Sequence, residues 1–501
     1  MNKPIKIIDL FAGPGGLGEG FASVGSDNNP VFKIAVSVEK EASAHRTLTL
    51  RAFTREFKNR VLPKEYYEYI RGKMSKEDLI KAYPAQWAAA CEETLGGPVA
   101  LGEDNELIHR KIAEVLEKNK EPWVLIGGPP CQAYSLAGRA RNMGSKDYVA
   151  EEDGRHFLYK EYLEIIKKYK PAVFVMENVK GILSSSPTGK PIFDQILSDL
   201  KNPDERELKY NLYSLSNAPR STDMFGPVFN ARDFIIRAED YGVPQARHRV
   251  ILLGVRSDIA VEHSQTLLDK SLEVNVGQVL ANMPKLRSGL SKNKDDSASW
   301  QQIAQLALQN AASLVNVDKD KILKIPLPKS RGKNFVIKKN TLSKELPKQL
   351  KDWLADEKLG GIIQHETRGH MSSDIARYAY VSLFGKRYGR SPLISEFPKH
   401  LLPNHKNVNS GKFVDRFKSQ VSGSPSKTIT SHIAKDSHAF IHFDPRQSRG
   451  LTVREAARIQ TFPENYFFEG NRTQQYVQVG NAVPPYLAML IAAKISTILK
   501  L

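Results

Sequence analysis

A short apolar run that ends in a crowd of glycines sets the first constraint on this chain. Ile5 to Phe11 is rich in β-branched residues and reads as a strand. Gly13, Gly15, Gly16 and Gly18 follow it at once, and Gly13, Gly15 and Gly18 satisfy G-x-G-x-x-G. Glu39 closes the next strand-like run, placed to bind ribose hydroxyls. Glycines let a backbone approach a ligand and adopt positive φ. Such a turn suits a nicotinamide dinucleotide or S-adenosylmethionine, and a purely structural turn is a third reading.

The rhythm set by that first unit continues. Val31 to Val38, Trp123 to Ile126, Ala172 to Met176 and Val250 to Val255 read as strands, and His156 to Tyr169 has helical periodicity. Alternation of this kind predicts an α/β fold with a doubly wound, mostly parallel sheet, which binds ligands beyond the carboxyl ends of its strands. Residues 51–100 read as a helical insertion, and after Arg256 the alternation fades until about residue 450. The expected organisation is a catalytic domain over 1–256, a variable region over 257–444 and a closing segment over 445–501.

Composition narrows the setting. The 501 residues are 41% hydrophobic, enough for a large core, and carry a net charge of +18. A basic surface suits a polyanion, because neutralised phosphates release counterions. Residues 319–351 hold eleven Lys/Arg against two Asp/Glu, half of that net charge. Pro326, Pro328 and Gly332 argue against one long helix there, which leaves a solvated loop or a phosphate-tracking segment. Two cysteines, Cys91 and Cys131, cannot make a disulfide framework or a four-thiolate zinc site. With no signal-like N-terminus and no apolar run of spanning length, a soluble cytoplasmic protein is expected.

Cys131 stands out by its context. Gly127-Gly128-Pro129-Pro130-Cys131-Gln132 ends a strand, and its prolines stiffen the loop. A cysteine on a rigid loop at the functional edge is a candidate nucleophile, although free cysteine is often just a small buried hydrophobe. Cys91, among alanines on a helix, reads as structural.

With these residues in view, the chain resembles the DNA (cytosine-5) methyltransferases of prokaryotic restriction-modification type. The motifs that carry the resemblance are Phe11-Ala12-Gly13-Pro14-Gly15-Gly16, Pro129-Pro130-Cys131-Gln132, Glu177-Asn178-Val179, and Gln245-Ala246-Arg247-His248-Arg249. Arg454 to Pro463 and Gln478 to Pro484 complete the series in order. The resemblance implies a class I S-adenosylmethionine-dependent, Rossmann-like fold with a smaller target recognition domain. It implies that Cys131 adds to C6 of a flipped-out cytosine, that Glu177 meets N3 and the exocyclic amine, and that Arg247 and Arg249 offset developing charge. It further implies that Phe11 stacks on the donor adenine, Gly13 and Gly15 approach the methionine end and Glu39 holds the ribose. Ala12, Gly16, Pro130, Leu158, Asn481 and Val483 complete the donor lining. Gly102-Glu103-Asp104-Asn105 departs from the family's third motif, so Glu103 or Asp104 meets the adenine amine. Asn178 is expected to order its loop, the segment around Arg454 to brace the recognition domain, and double-stranded DNA to be the partner. A cognate restriction or phage-defence system and a monomeric state are further expectations.

Gln364 to His370 holds two histidines and a glutamate, but not at H-E-x-x-H spacing, so a structural role is expected and no metal. Other functions stay open at this point. An RNA cytosine-5 methyltransferase shares the fold but tends to be shorter in the recognition region. A catalytically silent DNA-binding protein is opposed by intact Cys131, Glu177 and Arg247. A nicotinamide oxidoreductase leaves the cysteine loop and the C-terminal motifs unexplained.

Overall fold

The structure is a computed structural model that describes residues 3–26, 29–57, 61–117, 121–130, 158–184, 192–204, 208–223, 226–292, 294–324, 326–403 and 416–500. Its centre is a seven-stranded sheet built from β1 (Ile5–Leu10), β2 (Phe32–Val38), β3 (Trp123–Gly127), β4 (Val173–Val179), β5 (Tyr210–Tyr213), β6 (Ile235–Arg237) and β7 (His248–Arg256). The order is β6-β7-β4-β3-β1-β2, with β5 also paired to β7. β2, β1, β3 and β4 run parallel, while β7 is antiparallel to β4 and to both β5 and β6. The mostly parallel sheet expected from the alternation is present, and antiparallel pairing closes one side.

Side chains alternate across this sheet with the period of two that a pleated strand imposes. Val124, Ile126, Val173, Val175, Ile251 and Leu253 face one hydrophobic cluster. Leu125, Phe174, Met176, Val250 and Leu252 face the other. Helix α1 (Gly16–Ala22) and the C-terminal helix Pro485–Ile498 cover the first face. Helices Asn105–Glu117, Leu158–Tyr169 and Ile192–Lys201 cover the second. The strand read as Ala172 to Met176 runs on to Val179, because Val179, Asn178 and Glu177 pair with Arg249, Val250 and Ile251. Glu177 therefore lies inside the strand and its backbone direction is fixed by the ladder.

The 51–100 insertion is helical as expected, with Lys64–Ile70, Lys76–Ala82 and Pro84–Glu93 packed on Phe53 through an aromatic cluster. Within 319–351 the chain forms helix Lys319–Leu323, strand Gly332–Ile337 and the start of helix Lys348–Leu354, so no single long helix forms. A separate hydrophobic cluster joins helices Ser297–Leu314 and Ser372–Tyr388 around Trp300 and Tyr378. Among the described residues, no helix is long and apolar enough to cross a membrane.

α1 can lie against the C-terminal helix because it is thin. A Cβ on Gly20 would sit 2.4 Å from both Ala488 Cβ and Met489 N. Gly20→Ala gains about 1 kcal/mol of helix propensity but incurs an overpacking cost of about 1–3 kcal/mol against backbone that cannot rotate away. The packing cost wins against fixed backbone, so Gly20→Ala lowers the unfolding free energy in urea, by up to about 2 kcal/mol. Gly97→Ala, which meets no atom within 4 Å, leaves it unchanged.

Candidate active site

The glycine turn leaves β1 at its carboxyl end and is pinned to the end of β2. Phe11 takes φ 57°, Gly13 φ 58° and Gly15 φ 97°. Ala12 N donates to Val38 O at 3.0 Å, and Gly13 N donates to Glu39 Oε2 at 2.8 Å. Glu39 Oε1 accepts from Glu41 N at 2.6 Å, so both carboxyl oxygens are held by backbone amides. Burial pushes the Glu39 carboxyl above its ordinary value, opposed by those amides. Beneath the turn, Asp9 is fully buried and neither of its carboxyl oxygens finds a hydrogen-bond partner among the described residues. Burial pushes it up to about 8 against the pull of Arg55.

The remaining donor-side expectations fall in two groups, of which the first meets this turn. Val483 O would lie 2.4 Å from a Cβ on Gly16, so the C-terminal segment is seated directly on the turn. Asn481 is exposed at the end of helix Arg472–Asn481, two residues before Val483. Separately, Leu158 Cδ2 lies 3.2 Å from where a Cβ on Gly102 would be, which joins Leu158 to the 102–105 turn. Asp104 Oδ2 accepts from Ala100 N at 2.8 Å and shapes that turn, while Glu103 is exposed.

The carboxyl ends of β3 and β4 meet beside it. Pro130 is the last described residue of the cysteine loop; Cys131 lies outside the described residues. Asn178 Nδ2 donates to Pro129 O at 3.1 Å and ties the loop to β4. A Cβ on Gly128 would be 3.0 Å from Glu177 Oε2, so the carboxyl group lies over the start of the loop. Arg249 Nε pairs with Glu177 Oε1 at 2.9 Å.

Arg247 faces elsewhere. It is buried, and its Nη1 donates to Ile429 O at 2.8 Å and Gly480 O at 3.3 Å. Burial, then the nearby Arg249, pulls its guanidinium well below its ordinary value. Ile429 belongs to a segment that sequence reasoning missed. Gln245 and Ala246 pair in parallel with Ser426 and Lys427, and Thr428 Oγ1 donates to Ala246 O at 2.7 Å. A Cβ on Gly480 would be 2.2 Å from Ser431 N. No local pattern marks Ser426 to Ser431, because its register is set by residues far away in the chain.

A buried clasp holds these pieces. Arg449 and Glu455 form a two-pronged pair at 2.7 Å on each arm, and Glu455 also accepts from Thr452 N at 2.7 Å. Arg449 Nε donates to Leu286 O at 3.1 Å, Arg454 Nε to Ile363 O at 3.2 Å and Arg458 Nη1 to Thr341 O at 3.0 Å. The histidines of the Gln364–His370 stretch belong to this clasp. His365 meets Thr452 Oγ1 at 2.9 Å and Pro284 O at 3.1 Å, and His370 Nε2 accepts from Gly450 N at 3.3 Å.

A mostly parallel sheet with a glycine turn and an acidic second-strand end suits either a nicotinamide dinucleotide or S-adenosylmethionine. A solved DNA modification methyltransferase encoded within a prophage of E. coli shares the fold, with a TM-score of 0.51 and 18% identity over 99% of this chain and all of that one. The family model for C-5 cytosine-specific DNA methylases matches residues 102–497. The chain is 32% identical to the type II methyltransferase M.Bpa9945I of Bacillus paralicheniformis, over 98% of its own length and 99% of that protein. It is 26% identical to M.AgeI of Thalassovita gelatinovora and 25% identical to M.DdeI of Desulfomicrobium norvegicum, each over 98% of this chain and over 99% and 88% of theirs. The chain belongs to the C-5 cytosine-specific DNA methylase family. It transfers a methyl group from S-adenosylmethionine to C5 of cytosine in DNA.

The clasp makes stability depend on pH. His442 also belongs to the clasp, with its Nε2 3.6 Å from Glu455 Oε1, and burial pushes His365 and His442 down to about 4 and His370 to about 3. A histidine of ordinary pKa near 6.5 in the unfolded chain then binds a proton that the folded chain refuses. Each contribution is complete above pH 6.5 and is lost as pH falls, at up to about 1.4 kcal/mol per pH unit. Urea titrations of wild type and His442→Gln between pH 7.5 and 5 should diverge in slope by roughly that amount, the variant being flatter. Parallel curves would remove His442 from the account.

Proposed function

We propose that the reaction runs through a covalent adduct between Cys131 and cytosine C6, with Glu177 and Arg249 on the ring and Arg247 as a brace behind them. The observation that carries this is the Glu177–Arg249 pair poised over Gly128, at the root of the cysteine loop. The Cys131 thiolate adds to C6 and pushes electron density to C5, which is otherwise a poor nucleophile. Glu177 delivers a proton to N3 and accepts from the exocyclic amine while Arg249 binds O2, which offsets charge that accumulates on the ring, and the N3 proton returns to Glu177 when the thiolate is expelled. C5 takes the methyl group as the donor's carbon–sulfur bond breaks, which would leave the donor sulfur as a neutral thioether. The C5 proton then leaves to a base, and expulsion of Cys131 restores the aromatic ring.

The donor residues fit S-adenosylmethionine: positive-φ glycines leave room at the turn, and Glu39 sits at the end of β2 beside Gly13. Bound there, S-adenosylmethionine supplies an electrophilic methyl group on a sulfonium. Gly13, Gly15 and Gly16 would border its methionine end, Glu39 the ribose, and Phe11, Ala12, Asp104, Leu158 and Pro130 the adenine side. Asn481 and Val483 would close the pocket.

The target base must leave the duplex to reach this site. We place the recognition lobe within 257–444, centred on the Trp300–Tyr378 cluster, with the lysines of 319–351 near phosphates. Residues 268–283 and 342–362 pack into the same core as the catalytic sheet, so the lobe does not hang by a single linker. The relatives named type II methyltransferases support a restriction-modification role, in which this chain would act beside a cognate endonuclease in the cytoplasm.

Transfer of labelled methyl to unmethylated duplex DNA tests the assignment. Wild type should yield 5-methylcytosine and Cys131→Ala none. Arg249→Ala should lose about 100-fold in kcat or more, with little change in stability. Arg247→Ala should instead lower stability by about 3 kcal/mol, since two buried carbonyls lose their donor. Full activity in Cys131→Ala would refute the adduct, and the reverse pattern for the two arginines would exchange their roles.

A further inference from the structure

The donor turn is held in an unfavourable backbone state from the far end of the chain. Phe11, a bulky residue, sits in the left-handed region at φ 57°. Such a conformation persists only where the surroundings over-determine it. β2 supplies part of the restraint, through Val38 and Glu39. Tyr466 supplies another part. Its hydroxyl donates to Pro14 O, and a Cβ on Gly15 would lie 3.2 Å from that hydroxyl oxygen. The Pro14 carbonyl belongs to the Pro14–Gly15 peptide, whose N–H donates to Ala12 O at 3.0 Å. Tyr466 and Ala12 thus hold opposite ends of one peptide plane, between the two glycines of positive φ.

Tyr466 is itself immobilised. It is fully buried, the Arg51 guanidinium lies 4.4 Å from its ring centroid, and its own carbonyl accepts from Arg454. Arg51 in turn pairs with Glu19 of α1 and donates to Asn465 Oδ1 at 3.1 Å. Burial pushes the phenol well above its ordinary value, so the hydroxyl remains a donor across the working pH range.

We infer that Tyr466 is a positioning residue for S-adenosylmethionine: it orients the Pro14–Gly15 peptide so that the turn is shaped for the donor before the donor arrives. It touches neither donor nor cytosine, and it acts through the turn. The inference rests on the donor site proposed above. It also gives the Pro463–Tyr466 loop a task on the donor side, beyond the hydrogen bond from Glu464 N to Leu354 O.

Calorimetric titration with S-adenosylmethionine tests it on Tyr466→Phe, Tyr476→Phe and Glu39→Ala, beside steady-state kinetics and thermal melts. Tyr476 is the control, since its buried hydroxyl donates to Leu451 O at 2.6 Å in the same C-terminal segment without meeting the turn. Tyr466→Phe should raise the donor Kd, and KM for the donor, by roughly tenfold, with kcat at saturating donor unchanged. Tyr476→Phe should leave the donor Kd unchanged even where its melting temperature falls as far. A Tyr466→Phe Kd within about twofold of wild type, with donor binding lost in Glu39→Ala, would make Tyr466 merely structural and overturn the inference. Donor binding intact in Glu39→Ala as well would overturn the donor site itself, and this inference with it.

Discussion

The Arg449–Glu455 pair is the interaction on which the rest of the arrangement depends. Both side chains are withdrawn from water, at 0% and 1% exposure. Removing two charges from solvent costs several kcal/mol per ion, and attraction repays this only when geometry and additional hydrogen bonds are complete. Burial alone would raise the Glu455 carboxyl, yet Arg449 holds it well below the usual carboxylate range. Completeness here recruits distant residues. Leu286 O and Gln447 Oε1 accept from Arg449, Thr452 N donates to Glu455, and His365 caps Thr452. Segments near 286, 365 and 450 must therefore be in place together. That fixes the helix Val453–Ile459 and the Pro463–Tyr466 loop behind it.

Much of the catalytic half was legible because its signals are local. A β-branched run followed by glycines reads as a strand and turn wherever it occurs, and Ile5–Leu10, Phe32–Val38 and Trp123–Gly127 fall within a residue or two of the expected bounds. Tertiary pairing moved the other limits. Val173–Val179 is longer than its apolar core because β7 extends the ladder over Glu177 and Asn178. The region after Arg256 was opaque for the same reason. Gln245 with Ser426 and Gly289 with Gly369 pair across more than a hundred and about eighty residues respectively, and neither strand carries a pattern of its own. The cysteine loop beyond Pro130 lies outside the described residues, so the expectation for Cys131 stands on motif and chemistry.

The two arginines of the Gln245–Arg249 motif show how one residue of backbone decides which partners a side chain meets. Positions i and i+2 on a strand share a face. By that rule Arg247 and Arg249 should have pointed together at the reacting base. But β7 begins at His248, and Arg247 occupies the joint between it and the two-residue pairing of Gln245 and Ala246 with the 426–427 segment. The direction changes at that joint. Arg249 stays with the sheet and meets Glu177; Arg247 turns inward to the carbonyls of Ile429 and Gly480. A guanidinium is well suited to the second task, since it offers several donors in a fixed planar fork. Its Nε nevertheless finds no partner among the described residues, which marks the joint as a costly place held by its neighbours.

Glycine placement explains why the site converges at all. Gly127 would press a Cβ to 2.6 Å from Leu10 O, Gly128 to 3.0 Å from Glu177 Oε2, and Gly16 to 2.4 Å from Val483 O. Each marks a contact between two pieces of backbone or between backbone and a side-chain carboxyl: β3 on β1, β3 on β4, and the C-terminal segment on the glycine turn. A side chain at any of them would widen a gap that the chemistry needs closed, because a methyl donor and a base can react only within about 3–3.5 Å of each other. The parallel strands bring three ends of the chain to one edge, and the glycines let them touch there. The C-terminal segment then adds a fourth wall that the sheet cannot provide. The glycine turn is built by the first few dozen residues but is confined by nearly the last, through the Val483 carbonyl seated against Gly16.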